Sequence, residues 1–350
     1  MIVNYPRMRR RVKGWPDDLD TALEFASPET FSISTRKNWD GKIEYSNGSG
    51  WKTWDGAKIT SGVIENKNVI YFRGVGNTKV SGDEYGDNRW VITGQTVSCK
   101  GDIERLLNWE DVKNGKHPAM SDYCYAGMFY NCTSLTTAPA LPATTLNRGC
   151  YASMFHGCTS LTTAPALPAT TMIYSCYDGM FYNCKSLTAA PALPATTLST
   201  YCYQKMFYGC KSLTAAPALP ATTLYYGCYD SMFSGCTNLT TAPALPATTL
   251  NRGCYARMFS SCISLTTVPA LPATMLTDNC YEYMFQNCRK IKVSATANGT
   301  YTRAYRIPRA GAGTISNSSV RYMFAGTGGT FTGDPEINTT YYLDKSNTIV

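Results

Sequence analysis

A 26-residue period constrains this chain more than any other feature. Cys124, Cys150, Cys176, Cys202, Cys228, Cys254 and Cys280 lie 26 residues apart, and Cys132, Cys158, Cys184, Cys210, Cys236, Cys262 and Cys288 follow them by eight. The unit reads C-Y-x-x-M-F-x-x-C-x-S-L-T-x-x-P-A-L-P-A-T-x-L-x-x-x in seven tandem copies from residue 121 to about 293. Asn238 replaces the serine once, Met172 replaces the last leucine once, and Lys290 breaks the final copy. A unit this short cannot bury its apolar face alone, so the copies must stack on one another.

Within a unit, Tyr125, Met128, Phe129 and Cys132 fall at i, i+3, i+4 and i+7, a spacing that predicts a short helix with one buried face. Ser134-Leu135-Thr136-Thr137 reads as a strand. Pro139-Ala140-Leu141-Pro142 must be extended, although neither proline can donate to a ladder. Neighbouring strands sit about 4.8 Å apart, so seven units would advance roughly 30 to 35 Å. The expected fold is an α+β repeat solenoid, right-handed in its winding, with Leu135, Leu161, Leu187, Leu213, Leu239 and Leu265 stacked inside.

All six tryptophans (Trp15, Trp39, Trp51, Trp54, Trp90, Trp109) precede the repeats, which predicts a separate core there. Alternating runs at Phe31–Ser34, Lys42–Tyr45, Trp51–Trp54 and Val69–Arg73, punctuated at Asn47-Gly48, Asp55-Gly56 and Gly74-Val75-Gly76, predict a small antiparallel β domain. Asp102–Leu107 reads as a short helix leading into the first copy. The expected organisation is a basic N-terminal arm (1–22), the β domain (23–98), a connector or cap (99–120), the repeats (121–293) and a C-terminal cap (294–350). That cap carries a degenerate echo of the repeat at Arg321-Tyr322-Met323-Phe324.

The net charge of +8 owes much to Arg7-Met8-Arg9-Arg10-Arg11-Val12-Lys13. Such an arm is either a solvated tail or a contact for phosphate, an acidic partner or an anionic membrane. No apolar run is long enough to span a membrane, and no signal-peptide core follows the arginines.

The fifteen cysteines raise the question of disulfides. On a helix, two cysteines eight residues apart lie about 12 Å apart along the axis, too far to bridge. Like cysteines form two columns of seven, which cannot pair completely. Reduced, buried thiols packing as small hydrophobes are therefore expected. Eight-residue spacing without nearby histidine does not match a zinc site, so no metal and no cofactor is called for.

Only His117 and His156 are present, neither in a nucleophile motif. The only acids between Cys124 and Cys288, namely Asp178, Asp230, Asp278 and Glu282, are spread over distant repeats in sequence. This distribution points away from an enzyme.

Positions that vary while their neighbours repeat are free to serve recognition. Two residues before the first cysteine the column reads Asp122, Arg148, Tyr174, Thr200, Tyr226, Arg252, Asp278, with Ile173, Tyr201 and Tyr225 adjoining. Two residues before the second cysteine it reads Tyr130, His156, Tyr182, Tyr208, Ser234, Ser260, Gln286. Tyrosine beside arginine suits a binding surface, and aromatic faces cover sugar rings. The alternative is that the tyrosines merely shield neighbouring backbone. Candidate ligand-binding residues are Arg148, Tyr174, Tyr201, Tyr225 and Tyr226, with Tyr130, Tyr182 and Tyr208 on the second column.

The unit M-F-x-x-C-x-S-L-T-x-x-P-x-L-P-A-T-x-L resembles the BspA-like leucine-rich repeats of surface proteins from gut bacteria and of their bacteriophages. Trp39–Tyr45 with Val69–Gly74 is similar to the β domain that precedes such repeats, and Met323–Phe331 through Asn338–Tyr342 is similar to their usual C-terminal end. The resemblance spans roughly residues 25 to 350 and implies a leucine-rich-repeat solenoid with a role in adhesion or host interaction. It carries over no catalytic residue. The expectation is a non-enzymatic recognition protein on a virion or an extracellular surface; either its export signal has been removed or it reaches that place by another road, for example by assembly into a virus particle that leaves by lysis. Its partners would be a bacterial surface glycan or protein, or other virion proteins through the N-terminal region; no specific nucleic acid is expected, and an oligomer is allowed. The rival reading is a purely structural decoration protein that binds no receptor.

Overall fold

The computed structural model describes residues 15–48, 50–82, 87–311 and 318–350. The basic run Arg7–Lys13 lies outside the described residues. The chain that follows it, from Trp15 on, packs onto the β structure: Asp18 accepts from the Trp51 indole at 2.8 Å and pairs with Arg73.

The alternating runs do form strands, at Ser32–Ser34, Lys42–Ser46, Lys52–Trp54 and Lys67–Val75. The longest of these runs through Gly74, which the sequence suggests as a turn. A Cβ at Gly74 would lie 1.7 Å from the carbonyl oxygen of Leu106, so the glycine instead permits close packing by the one α-helix among the described residues, Arg105–Lys113. Leu23–Ser27 and Val97–Lys100 extend the same sheet, and Val97–Lys100 pairs in parallel with Leu135–Thr137 of the first repeat.

The N-terminal core is therefore not separate. Trp39 stacks on Trp54 at 5.3 Å, Trp54 meets Trp90 at 4.9 Å, Trp90 stacks on Phe25 at 6.0 Å, and Phe25 packs on Phe129 of the first repeat at 6.1 Å. One cluster of buried side chains runs from Leu23 to Leu343. Trp39, Trp54 and Trp90 thus form the first layer of a core that the repeats continue in phenylalanine.

The repeats stack in register but hold no helix. Tyr125, Met128, Phe129 and Cys132 are buried together, as their spacing requires, yet the backbone between the cysteines is a succession of tight turns. In every copy the residues one before, three after and seven after the first cysteine have φ between +50° and +75°, for example Tyr123, Gly127 and Asn131. A left-handed residue every fourth position breaks the i→i−4 ladder. Half of the N–H groups close i→i−3 turns, as Ala126 and Met128 do onto Tyr123 and Tyr125 at 3.0 and 3.2 Å. The other half point along the stack: Tyr123, Tyr125, Gly127, Phe129 and Asn131 donate to Arg148, Cys150, Ala152, Met154 and His156 of the next copy at 2.7–2.9 Å. The same five bonds recur at each junction between full copies.

The expected strand is a ladder only at the ends. Leu135–Thr137, Thr267–Val268 and Met275–Leu276 are paired strands, whereas the middle copies show single bridges such as Thr137 to Thr163 and Ala215 to Thr241. Prolines at Pro139 and its equivalents deny this side the donors that a continuous sheet needs. The final rung is the degenerate repeat, where Tyr281, Tyr283, Phe285 and Asn287 donate to Ser319, Arg321, Met323 and Ala325.

All fifteen cysteines are buried and unbridged. The helical argument for separating them fails with the helix, and a different one replaces it. Each thiol of the second column, from Cys158 to Cys288, donates to the carbonyl of the phenylalanine 29 residues earlier, at 3.0–3.1 Å. Burial pushes the Cys236 thiol up to about 12, which suppresses the nucleophilic thiolate.

Two outcomes follow. Leu187, fully buried in a central copy, should lose about 2–5 kcal/mol on substitution by alanine, measured by denaturant unfolding; a near-neutral change would contradict its place in the core. Alkylation in denaturant without reductant should label most of the fourteen repeat cysteines, read by mass spectrometry, and finding half of them bridged would contradict the thiol–carbonyl contacts.

Candidate functional site

The tight turns project their variable residues outward in columns, one residue per rung. The first column gathers residues from consecutive copies into one stripe. Arg148 donates from Nε to the Tyr123 hydroxyl at 3.0 Å and lies over the Tyr174 ring at 4.5 Å. Tyr174 meets Tyr201 edge-on at 6.1 Å and 83°, and Tyr201 meets Tyr226 at 5.0 Å and 68°. Tyr174 and Tyr226 are 36% and 38% exposed, and an edge-to-face contact covers a face of only one ring in each pair. Tyr225 stands beside the stripe at 44% exposure and Ile173 at 38%. Sequence reasoning misses Tyr123, since its partner Arg148 belongs to the next repeat.

Tyr201 occupies one of the left-handed positions, at φ +56°. Its ring covers the next rung, where a Cβ on Gly227 would come within 2.6 Å of it. In this column a tyrosine is followed by glycine on the next rung, and Tyr123 with Gly149 repeats the pairing at 2.3 Å.

The second column is built differently. Tyr130, His156, Tyr182 and Tyr208 stack face to face at 4.3, 4.4 and 4.5 Å with interplanar angles of 14°, 6° and 3°. Their faces are spent on one another and all four are half-buried. Such a ladder leaves only ring edges for a ligand, whereas the first column offers faces.

Three of the acids that look scattered in the sequence, Asp178, Asp230 and Glu282, share one column, two residues after the first cysteine. Arg257, on the rung between the last two, lies 3.8 Å from both Asp230 and Glu282. Asp230 also accepts from Gln204 at 3.0 Å, and the buried Glu282 accepts from Asn279 and Arg321, each at 2.9 Å. Stacking therefore brings together two carboxylates that are two full repeats apart in sequence, each already engaged by neighbouring donors. Gln204, Asp230, Arg257, Asn279 and Glu282, with Tyr201 and Tyr226, line a cleft of ≈ 150 Å³ at the end of the stripe.

Burial within the ring ladder lowers the His156 pKa to about 4. The unfolded imidazole titrates near 6.5. Between these values the unfolded chain binds more protons than the folded one, so stability falls as pH drops through that window. His156→Tyr, which continues the tyrosine ladder, should remove this loss. The melting-temperature difference between variant and wild type should widen by about 2 °C or more from pH 7 to pH 4; a constant difference would contradict the dehydrated histidine.

Among the described residues no helix is long and apolar enough to cross a membrane. Comparison with curated proteins and with solved structures finds no match. Residues 144–292, the segment that carries the stripe, match the family described as BspA type Leucine rich repeat region, in six copies.

Proposed function

We propose that this is a non-enzymatic adhesion protein. Its repeats form a leucine-rich-repeat solenoid that presents the stripe Arg148, Tyr174, Tyr201 and Tyr226 to a bacterial surface glycan or protein, and its place is on a virion or another outer surface. The observation that supports this reading is the open aromatic–guanidinium stripe itself. It spans consecutive rungs, Tyr174 and Tyr226 stay partly exposed, and rings with one cation among them make large contacts at small entropic cost. The match to BspA-type repeats supports a surface role and protein binding for the repeat segment. The second column, Tyr130, His156, Tyr182 and Tyr208, serves as internal support for the turns.

Carrying Tyr174→Ala together with Tyr226→Ala should weaken binding to bacterial cells or to a glycan array about tenfold or more. The melting temperature should hold, because both side chains are exposed. Unaltered binding by the double variant would move the site off the stripe, and no binding by the intact chain would favour the structural decoration reading.

A further inference from the structure

The hexapeptide N-R-G-C-Y-A occurs twice, at Asn147–Ala152 and Asn251–Ala256, in two different surroundings. In the first, Arg148 is engaged by the Tyr123 hydroxyl and the Tyr174 ring, and the Tyr123 ring covers Gly149. In the second, the rung before carries Gly227 in place of that tyrosine, and the rung after carries Asp278 in place of Tyr174. Nothing lies within 4 Å of where a Cβ on Gly253 would stand. Arg252 is exposed, and its guanidinium has no hydrogen-bond or ion-pair partner among the described residues. The same backbone and the same arginine are thus filled by the chain's own phenol at one rung and left open at the other.

We infer that this opening, the cleft around Arg252, is a subsite for a carboxylated sugar ring; the inference rests on the adhesion reading and names the ligand class of the stripe's end. Arg257 is shared between Asp230 and Glu282, and Arg321 also serves Glu282, so both carboxylates that line the cleft are engaged by cations other than Arg252, whose planar guanidinium stays open. A carboxylate matches its fork of donors bidentately. The remaining lining suits the rest of a pyranose: the rings of Tyr201 and Tyr226 supply apolar surface, the Gln204 carbonyl is left to accept from a hydroxyl while its amide is held by Asp230, and the bare Cα of Gly253 lets a ring approach the backbone. A phenol from a protein partner would fill the place that Tyr123 fills, but it would leave that hydroxyl-matching carbonyl unused.

Methyl glucuronide and methyl glucoside differ only in the carboxylate, and NMR titration of the full chain with each tests the site. The glucuronide should bind with a Kd of about 1 mM and perturb Tyr201 and Tyr226, and the glucoside should bind about tenfold more weakly or not at all. Arg252→Gln, at an exposed position, should lose about ten- to a hundredfold toward the glucuronide with an unchanged melting temperature, whereas Lys211→Gln should lose nothing. Equal binding of the two sugars, no glucuronide binding up to about 20 mM, or stronger binding by N-acetyltyrosine amide would each overturn the inference. If the wild type binds cells through Tyr174 and Tyr226 yet ignores the glucuronide, the inference alone fails; if it binds neither, the adhesion reading fails with it.

Discussion

The structure depends on one arrangement of backbone hydrogen bonds, in which alternate N–H groups of the cysteine-bounded turns reach the carbonyls of the next copy. An unpaired N–H in this buried segment would be costly, so the turn conformation and the stack require each other. The left-handed residue at every fourth position aims half of the donors outward. The stack exists because those donors need acceptors in the following copy. Register is set by the same rule, since a slip of one residue would present N–H to N–H and move the cysteine, tyrosine, methionine and phenylalanine columns out of the core. The thiol-to-carbonyl contacts add a second tie between copies.

Such a ladder has two ends that must be closed. At the start, Trp90 and Val97 donate to Met128 and Ser134 of the first copy, and the tryptophan cluster continues the phenylalanine column. At the finish, the degenerate rung at Ser319–Ala325 supplies the last acceptors, and Asn347 caps the carbonyls of Thr266 and Lys290. Lys290, which breaks the repeat in sequence, is thereby the point where the C-terminal segment takes over. Aromatic rings step through the interior at 5.5–6.1 Å in the phenylalanine column, so the core is a set of parallel columns and not a mixture of contacts.

The surface inherits this order. A side chain at a left-handed position costs about 1–2 kcal/mol relative to glycine, which contacts must offset. Tyr201 does so by laying its ring over Gly227, and Arg257 by lying between Asp230 and Glu282. Where glycine stands instead, as at Gly227, the neighbour's ring lies over it. Variation among the copies is therefore a pattern of filled and open rungs along one face, and the open rung beside Arg252 is as informative as the filled one beside Arg148.

By itself the sequence determined the period, the stacking, the buried columns and the two outward columns, because burial at a 26-residue spacing admits no other packing. It also carried a misleading sign: cysteine, tyrosine, methionine and phenylalanine two-in and two-out have a period of four, which spacing alone does not separate from the 3.6 of a helix. The glycine and asparagine at positions such as Gly127, Asn131, Gly179 and Asn183 were the available correction, since those residues tolerate positive φ. Tertiary structure alone decided which rings stack face to face and which stand edge-on, that Tyr123 engages Arg148, that Asp230 and Glu282 meet across Arg257, and that the tryptophan core runs on into the repeats. Those outcomes hinge on contacts between residues in different repeats, whose distances depend on side-chain directions at each turn and are not encoded in any local stretch of chain.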